Sequence, residues 1–346
     1  MQVIRADEKL ALFSKPALEV TNQFRLAPDD FLVICAGFED RSLAVLKNAL
    51  AVSTDFTIII IEYLPFIAQN HLAEIRAMCQ QARIKTIELC YDRQNPAGFG
   101  DVLLGKLARI RGRIFLDISG MSRLLIVQVL VALSTGIEGF KHCVIAYAKA
   151  TEYPPSTAEV EKALQQSYED PTYSILLLSS GVFEVTVVPE LSSTAIGSGQ
   201  TRLVAFPTFS ADQLTALRAE LQPSRYTLIH GIPPSPENQW RPDAIARINR
   251  LDALPCEQLK SSTFDYRETL DALLRLYGEY AVRERLLISP TGSKMQAVAI
   301  GLFRAFVSDI QIVYPTPKEF RSPDNYTKGV GPLYSLPLEG FSVGSA

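Results

Sequence analysis

The chain has 346 residues, of which 47% are apolar and 21% are charged. This composition is typical of a folded globular protein and excludes a disordered or fibrous one, and the length suggests two domains that each bury a core. The 34 Lys and Arg residues against 37 Asp and Glu residues give a net charge of −3. The protein therefore has no overall positive charge that would indicate binding of long nucleic acid. A local anion site is still compatible with this charge.

The N-terminal sequence and the cysteines indicate a cytoplasmic protein. The chain does not start with basic residues followed by an apolar run and a cleavage site, and no apolar stretch approaches the roughly 20 residues that span a bilayer. Five dispersed cysteines without a CxxC pair favour a reducing compartment. Three isolated histidines give no metal-binding pattern, so we predict neither a metal site nor a cofactor.

The sequence contains an internal repeat. Phe31–Leu50 reads as an apolar strand, a polar loop and an amphipathic helix, and Arg202–Leu221 reads the same way. Further strands and helices follow in the same order, and Arg123 aligns with Lys294 at the same offset of 171 residues. We interpret this repeat as a duplication.

Each copy alternates strands with helices, and its strands are continuous apolar runs. This pattern predicts an α/β fold with two tandem Rossmann-like units, each a mostly parallel sheet flanked by helices. Right-handed crossovers favour the strand order 3-2-1-4-5, in which the order reverses between strands one and four. The predicted domains are residues 1–190 with a hairpin appended around Ser179–Gly181, a Ser-, Thr- and Gly-rich linker at 191–201, and residues 202–346.

Ligands of open α/β sheets bind beyond the carboxyl ends of the strands at the point of reversal. In each copy, the loop after strand four combines hydroxyl groups, a glycine and a cation at the start of a helix, which suits a phosphate. The residues are Ser119, Gly120, Ser122 and Arg123 in the first copy and Thr291, Gly292, Ser293 and Lys294 in the second. No Walker A or GxGxxG spacing is present, which argues against a nucleoside triphosphatase and an NAD enzyme.

A second interpretation treats each of these loops as an ordinary helix cap and tight turn. A cation in the first helical turn is unfavourable against the helix dipole unless it meets an anion, and Glu39 or Asp40 could also pair with Arg123. Glu39 and Asp40 themselves read as a solvated first turn rather than as an acid–base pair. Asp117, which ends a buried strand, is expected to orient Arg123 or Ser119.

The helices that follow the two strand-four loops are apolar on nearly every side and must be buried on more than their sheet face. The simplest partner of each helix is its counterpart. We therefore expect pseudo-two-fold packing of the units, with the loops facing one shared cleft.

The string Asp117-x-Ser119-x-x-x-Arg123 resembles the core motif of CRISPR-associated Rossmann-fold (CARF) ligand-sensing domains, and Thr291-Gly292-Ser293-Lys294 resembles a related Thr-Gly-x-x-Lys version. The second copy departs from the motif, with Ile288 and Pro290 in place of the Asp and Ser. The resemblance implies paired domains that bind cyclic oligonucleotides, as the fused tandem SAVED domain does within one chain. It places phosphates on the strand-four loops, above a floor of Gly37 and Phe38.

These observations predict a nucleotide-sensing module of prokaryotic defence or signalling, either a monomer or a homodimer, that binds a small phosphate-containing ligand and works with a separate effector protein. One alternative is a metal-independent phosphodiesterase of the ring-nuclease type, in which Arg123 and Lys294 stabilise charge on a phosphate. Another is a structural or interaction module that binds no ligand. The candidate binding residues are Gly37, Phe38, Arg41, Ser119, Gly120, Ser122, Arg123, Thr291, Gly292, Ser293 and Lys294.

Overall fold

The computed structural model describes residues 6–107, 111–136, 139–170, 175, 177–194, 199–320 and 326–341. The helices and strands of the described residues are, in chain order, α1 Ala6–Leu12, β1 Glu19–Thr21, β2 Phe31–Cys35, α2 Ala44–Leu50, β3 Thr57–Leu64, α3 Leu72–Ala82, β4 Lys85–Asp92, α4 Phe99–Leu107, β5 Ile114–Asp117, α5 Arg123–Thr135, β6 Cys143–Ala148, α6 Thr157–Glu169, β7 Ser179–Thr186, β8 Gln200–Ala205, α7 Ala211–Leu221, β9 Arg225–Ile232, α8 Arg241–Ile248, β10 Glu257–Ser262, α9 Tyr266–Tyr280, β11 Glu284–Ser289, α10 Lys294–Phe306, β12 Gln311–Ile312, β13 Tyr314–Phe320 and β14 Leu333–Pro337. None of the helices in this part of the chain is both long and apolar enough to cross a bilayer.

The chain forms two compact units. The seven-stranded unit comprises Leu12–Tyr153 and Tyr326–Ala346, and its sheet has the order β1-β14-β6-β5-β2-β3-β4. The five-stranded unit comprises Met1–Ala11 and Pro154–Asn325, and its main sheet has the order β10-β9-β8-β11-β12. The α/β class predicted from the sequence is confirmed.

The parallel strands of both sheets follow the predicted order. In the seven-stranded unit, β4, β3, β2, β5 and β6 lie side by side and are all parallel. In the five-stranded unit, β10, β9, β8, β11 and β12 repeat this arrangement. Numbered within each unit, both read 3-2-1-4-5, so the reversal lies between β2 and β5 and between β8 and β11. Common ancestry of the units stays a prediction.

Burial explains why the strands read as apolar runs. Residues 32–35 of β2 and 58–61 of β3 are buried, because helices cover both faces of the sheet. In β4, which lies at the sheet edge, buried and exposed residues alternate. Residues 124–133 of α5 and 295–304 of α10 are buried throughout, as their apolar composition predicted. Packing of these two helices on each other stays a prediction.

The division of the chain differs from the boundaries expected at 190 and 202. The strand β7, expected within the first copy, pairs antiparallel with β13 in the five-stranded unit. In turn, β14 leaves the second copy and pairs with β6 of the seven-stranded unit. The first arm of the predicted hairpin lies mostly outside the described residues, so the hairpin stays a prediction. An apolar run indicates a strand but does not identify the strand with which it pairs.

The position of β14 gives a testable prediction. Leu336 of β14 is fully buried, whereas Val20 of β1, the neighbouring strand, is 65% exposed. Leu336→Ala should lower the free energy of unfolding by about 2–5 kcal/mol, because it leaves a cavity, and Val20→Ala should change it by less than about 0.5 kcal/mol. Urea denaturation measures both values. Hydrogen exchange in Leu336→Ala should rise in β6, and a rise confined to β12 would contradict this pairing.

Candidate functional site

The two central loops of the seven-stranded unit meet through their backbones. One loop follows β2 and contains Gly37, and the other follows β5 and contains Gly120. A Cβ atom on Gly120 would lie 2.3 Å from the carbonyl oxygen of Cys35, and one on Gly37 would lie 3.2 Å from the Cα of Gly120. Gly120 requires glycine because a backbone carbonyl leaves no room for a side chain, and at Gly37 a side chain would fit only if the loops moved slightly apart.

Ser119 is a structural residue rather than an open phosphate ligand. Its side chain is fully buried, and its hydroxyl oxygen accepts a hydrogen bond from the backbone N–H of Ala148 at 2.8 Å. The carboxylate of Asp117, also buried, accepts a hydrogen bond from the backbone N–H of Ser119 at 2.9 Å. This contact of Asp117 is with the backbone of Ser119, whereas the expected partners were Arg123 and the Ser119 hydroxyl.

Ser122 caps α5. Its hydroxyl oxygen accepts a hydrogen bond from the backbone N–H of Leu125 at 3.3 Å, which is the usual N-cap contact. The backbone N–H of Ser122 donates to the phenol oxygen of Tyr63. Burial, together with the neighbouring Cys35, raises the pKa of Tyr63 well above its ordinary value, so this phenol stays neutral. Tyr63 thus holds the loop after β5 from β3, the strand on the other side of β2.

Arg123 lies at the first position of α5 and is partly buried. Within the described ranges the structure shows no ion pair or hydrogen bond of its guanidinium, and Nε is buried without a partner. The positive end of the helix dipole and a cation occupy the same place, which is unfavourable without an anion. The alternative pairing with Glu39 or Asp40 is not observed: Glu39 binds Arg41 and Thr327, and Asp40 binds the backbone N–H of Gly329.

Arg41 is committed to a buried network. Its guanidinium donates to both carboxylate oxygens of Glu39, at 3.0 and 3.1 Å, and to the phenol of Tyr147 at 3.0 Å. Burial alone would lower the pKa of Arg41, but the charge of Glu39 and its hydrogen bond raise the pKa above the ordinary value. Arg41 therefore stays charged and stabilises the loop after β2, which does not favour its predicted role in ligand binding. Phe38, beside it, packs edge-to-face on Tyr326 at 4.9 Å between ring centroids.

The five-stranded unit places the second loop in a related way. The buried hydroxyl of Thr291 donates to the carbonyl oxygen of Phe206 at 2.8 Å and accepts from the N–H of the same residue at 3.2 Å, which ties the loop after β11 to the loop after β8. Ser293 and Gln296 form a reciprocal capping box at the start of α10. A Cβ atom on Gly292 would lie 2.2 Å from the Gln296 side-chain oxygen, so a side chain at this position would displace the Gln296 amide from the capping box.

Ser122 and Ser293 are thus equivalent N-caps, each followed by a cation, Arg123 or Lys294, at the first helical position. The hydroxyl of Ser119 instead binds Ala148 at the end of β6, and the hydroxyl of Thr291 binds Phe206 just after β8. The structure brings each group of predicted residues together within its own unit, and the cleft that would join the groups stays a prediction.

The sequence analysis did not identify two residues that hold these loops, Tyr63 on β3 and Gln296 on α10. Gln296 could have been found from the Ser-x-x-Gln spacing of a capping box. Tyr63 could not, because its hydroxyl contacts residues about 60 positions away. Across the described residues no group of three or more His, Cys, Asp or Glu side chains is arranged to hold a metal ion. A cavity of about 640 Å³ lies elsewhere in the five-stranded unit, beside α6, and is lined by Glu161, Leu164, Gln165, Tyr168, Arg247, Arg250, Asp252 and Ala253.

No protein-family model matches the chain, and no curated protein sequence matches it. Among solved structures, it is similar to a type III CRISPR defence DNA nuclease activated by cyclic oligoadenylate, with 11% identity, a TM-score of 0.48, and coverage of 87% of this chain and 68% of that chain. It is also similar to the cytoplasmic domain of a prokaryotic cation chloride cotransporter, with 8% identity, a TM-score of 0.24, and coverage of 82% and 94%. A third is a ketoreductase domain from the bacillaene assembly line, with 12% identity, a TM-score of 0.20, and coverage of 85% and 70%. The Rossmann-like class rests on the strand order above and not on these likenesses.

The contact at Gly120 gives a second prediction. Gly120→Ala should lower the free energy of unfolding by about 2 kcal/mol or more, because the new methyl group overlaps a backbone carbonyl that cannot rotate away. Gly105→Ala in α4 is the matched control: a Cβ there meets nothing within 4 Å, so better helix propensity should raise stability by about 0.5–1 kcal/mol. Equal effects of the two substitutions in urea denaturation would contradict the close contact of the loops.

Proposed function

We propose that the protein is a nucleotide-sensing module whose strand-four loops bind the phosphates of a small ligand. The observation that carries this proposal is the state of Arg123, a partly buried cation at the positive end of α5 with no ion pair in the described part of the chain. An anion at this point would neutralise the guanidinium and accept hydrogen bonds from the first-turn N–H groups of the helix. Both effects favour a phosphate.

The second loop supports the same proposal. It repeats the N-cap serine and the cation at the first position of a helix, on the same edge of a sheet with the same strand order. An isolated cap of this kind is an ordinary structural feature, but two at equivalent switch points favour a shared function. Lys294 acts as a point charge, and the guanidinium of Arg123 offers several donors in a plane.

The motif resemblance makes cyclic oligonucleotides the ligand class to test first. Such a ligand carries several phosphates and could engage Arg123 and Lys294 together in the cleft expected from the sequence. The ligand, the shared cleft and a separate effector protein all belong to this proposal.

Isothermal titration calorimetry with a panel of cyclic and linear oligonucleotides tests the proposal. We expect one member of the panel to bind, and both Arg123→Ala and Lys294→Ala to weaken binding about tenfold or more, which corresponds to about 1.4 kcal/mol. Arg275→Ala, at an exposed position of α9, and Lys106→Ala, at an exposed position of α4, are matched controls that should bind like the wild type. If no panel member binds, or if the controls weaken binding equally, the proposal fails.

Chromatography of the same mixtures separates binding from cleavage. Intact ligand after long incubation identifies a sensor. Linear products formed without added metal, and lost in Arg123→Ala, would identify the phosphodiesterase alternative, because the cation then stabilises charge in the transition state.

A further inference from the structure

We call the segment Tyr326–Gly331 the C-terminal latch. Three of its residues contact three consecutive residues of the loop after β2. Tyr326 packs on Phe38, the hydroxyl of Thr327 donates to the carboxylate of Glu39, and the N–H of Gly329 donates to the carboxylate of Asp40 at 2.9 Å. Asp40 is exposed in the first turn of a short 3-10 helix, as expected, but both carboxylates also have specific partners. They hold a segment almost 290 residues away in sequence.

The latch also pairs with the chain just before it leaves the seven-stranded unit. The N–H groups of Thr151 and Glu152 donate to the carbonyl oxygen of Lys328, each at 3.1 Å, and Lys328 donates back to Glu152 at 3.2 Å. Gly329 has a φ of +67°, and a Cβ there would lie 2.2 Å from the Thr151 hydroxyl, so the pairing requires glycine.

This pairing joins two of the three points at which the chain passes between the units. The crossings lie between residues 11 and 12, between 153 and 154, and between 325 and 326. The latch begins at the third crossing, and its Lys328 is hydrogen-bonded to Thr151 and Glu152, which lie just before the second crossing. One short segment thus contacts both the loop that contains Gly37 and the two crossings.

We propose that the C-terminal latch is a regulatory device that couples ligand binding at the β2 and β5 loops to the two chain crossings. This inference rests on the proposed function. The loop after β2 is in backbone contact with Gly120, so a phosphate bound at Arg123 would lie beside the loop that carries Glu39 and Asp40. Arg41 already balances the charge of Glu39, so repulsion from the phosphate acts on the carboxylate of Asp40. It weakens the hold of Asp40 on Gly329 and releases the latch.

Coupling between two sites is reciprocal, so loosening the latch must strengthen ligand binding. Thr327→Val keeps the side-chain shape and the net charge but removes the hydroxyl that binds Glu39. Asp40→Ala removes the acceptor for Gly329. Asp55→Ala is the control, because Asp55 is exposed and the hydrogen bond that ties it to its turn runs from its backbone N–H to the hydroxyl of Ser53.

The first experiment uses the ligand-free protein and hydrogen exchange of residues 326–331. We expect Thr327→Val and Asp40→Ala to speed exchange about fivefold or more, and Asp55→Ala to leave it unchanged. If both latch variants exchange at the wild-type rate, Glu39 and Asp40 do not hold the latch. This result would overturn the proposal whether or not the protein binds a ligand.

The second experiment adds pyrophosphate, or the nucleotide that binds in calorimetry, to the wild type and the same variants. We expect faster exchange of 326–331 on binding and severalfold tighter binding by Thr327→Val, which a charge effect alone would not produce. Measured binding without either change overturns the coupling and leaves the proposed function intact. If neither probe binds, the proposed function and its coupling to the latch both fail.

Discussion

The backbone contact between Gly37 and Gly120 is the constraint on which the site depends. Two parallel strands, β2 and β5, lie side by side while their connections run in opposite directions, so their following loops meet at one point of the sheet edge. Because neither loop carries a Cβ at the contact, the loops approach each other closely. The first turn of α5 therefore begins beside the loop after β2. This contact of the two loops sets the positions of Ser122 and Arg123 at the start of α5.

Two buried arginines, one in each unit, show the kind of partners that an anion at Arg123 would supply. Arg41 has Glu39 and Tyr147 as partners, and Arg202 in the five-stranded unit has Glu284, Glu257 and a tyrosine ring 3.6 Å away. A charge that leaves water needs such partners to offset its lost hydration. Arg123 is partly buried and has none in the described structure. This difference in electrostatic satisfaction, more than the loop motif, distinguishes a candidate ligand site from a cap.

The two units build equivalent loops with different contacts. In the seven-stranded unit, Tyr63 on β3 holds the loop through the Ser122 amide. In the five-stranded unit, Thr291 binds Phe206 and a capping box encloses Gly292. The contacts of the C-terminal latch shown by the described residues reach the loop after β2. The halves therefore share a strand order and a cap, but different partners hold their loops.

The sequence alone determined the local features: the α/β class, the strand order and the loops after strand four, in which a cation stands at the start of an apolar helix and a cap was one of two interpretations. These depend on apolar runs and on contacts within a few residues, which a linear pattern records. Only the tertiary structure decided that β7 pairs with β13, that β14 returns to β6, and that Arg41 is enclosed by Glu39 and Tyr147. Apart from the contact of Arg41 with Glu39, these pairings join residues about 100 or more positions apart. Many partners satisfy the same apolar or charged pattern until packing selects one.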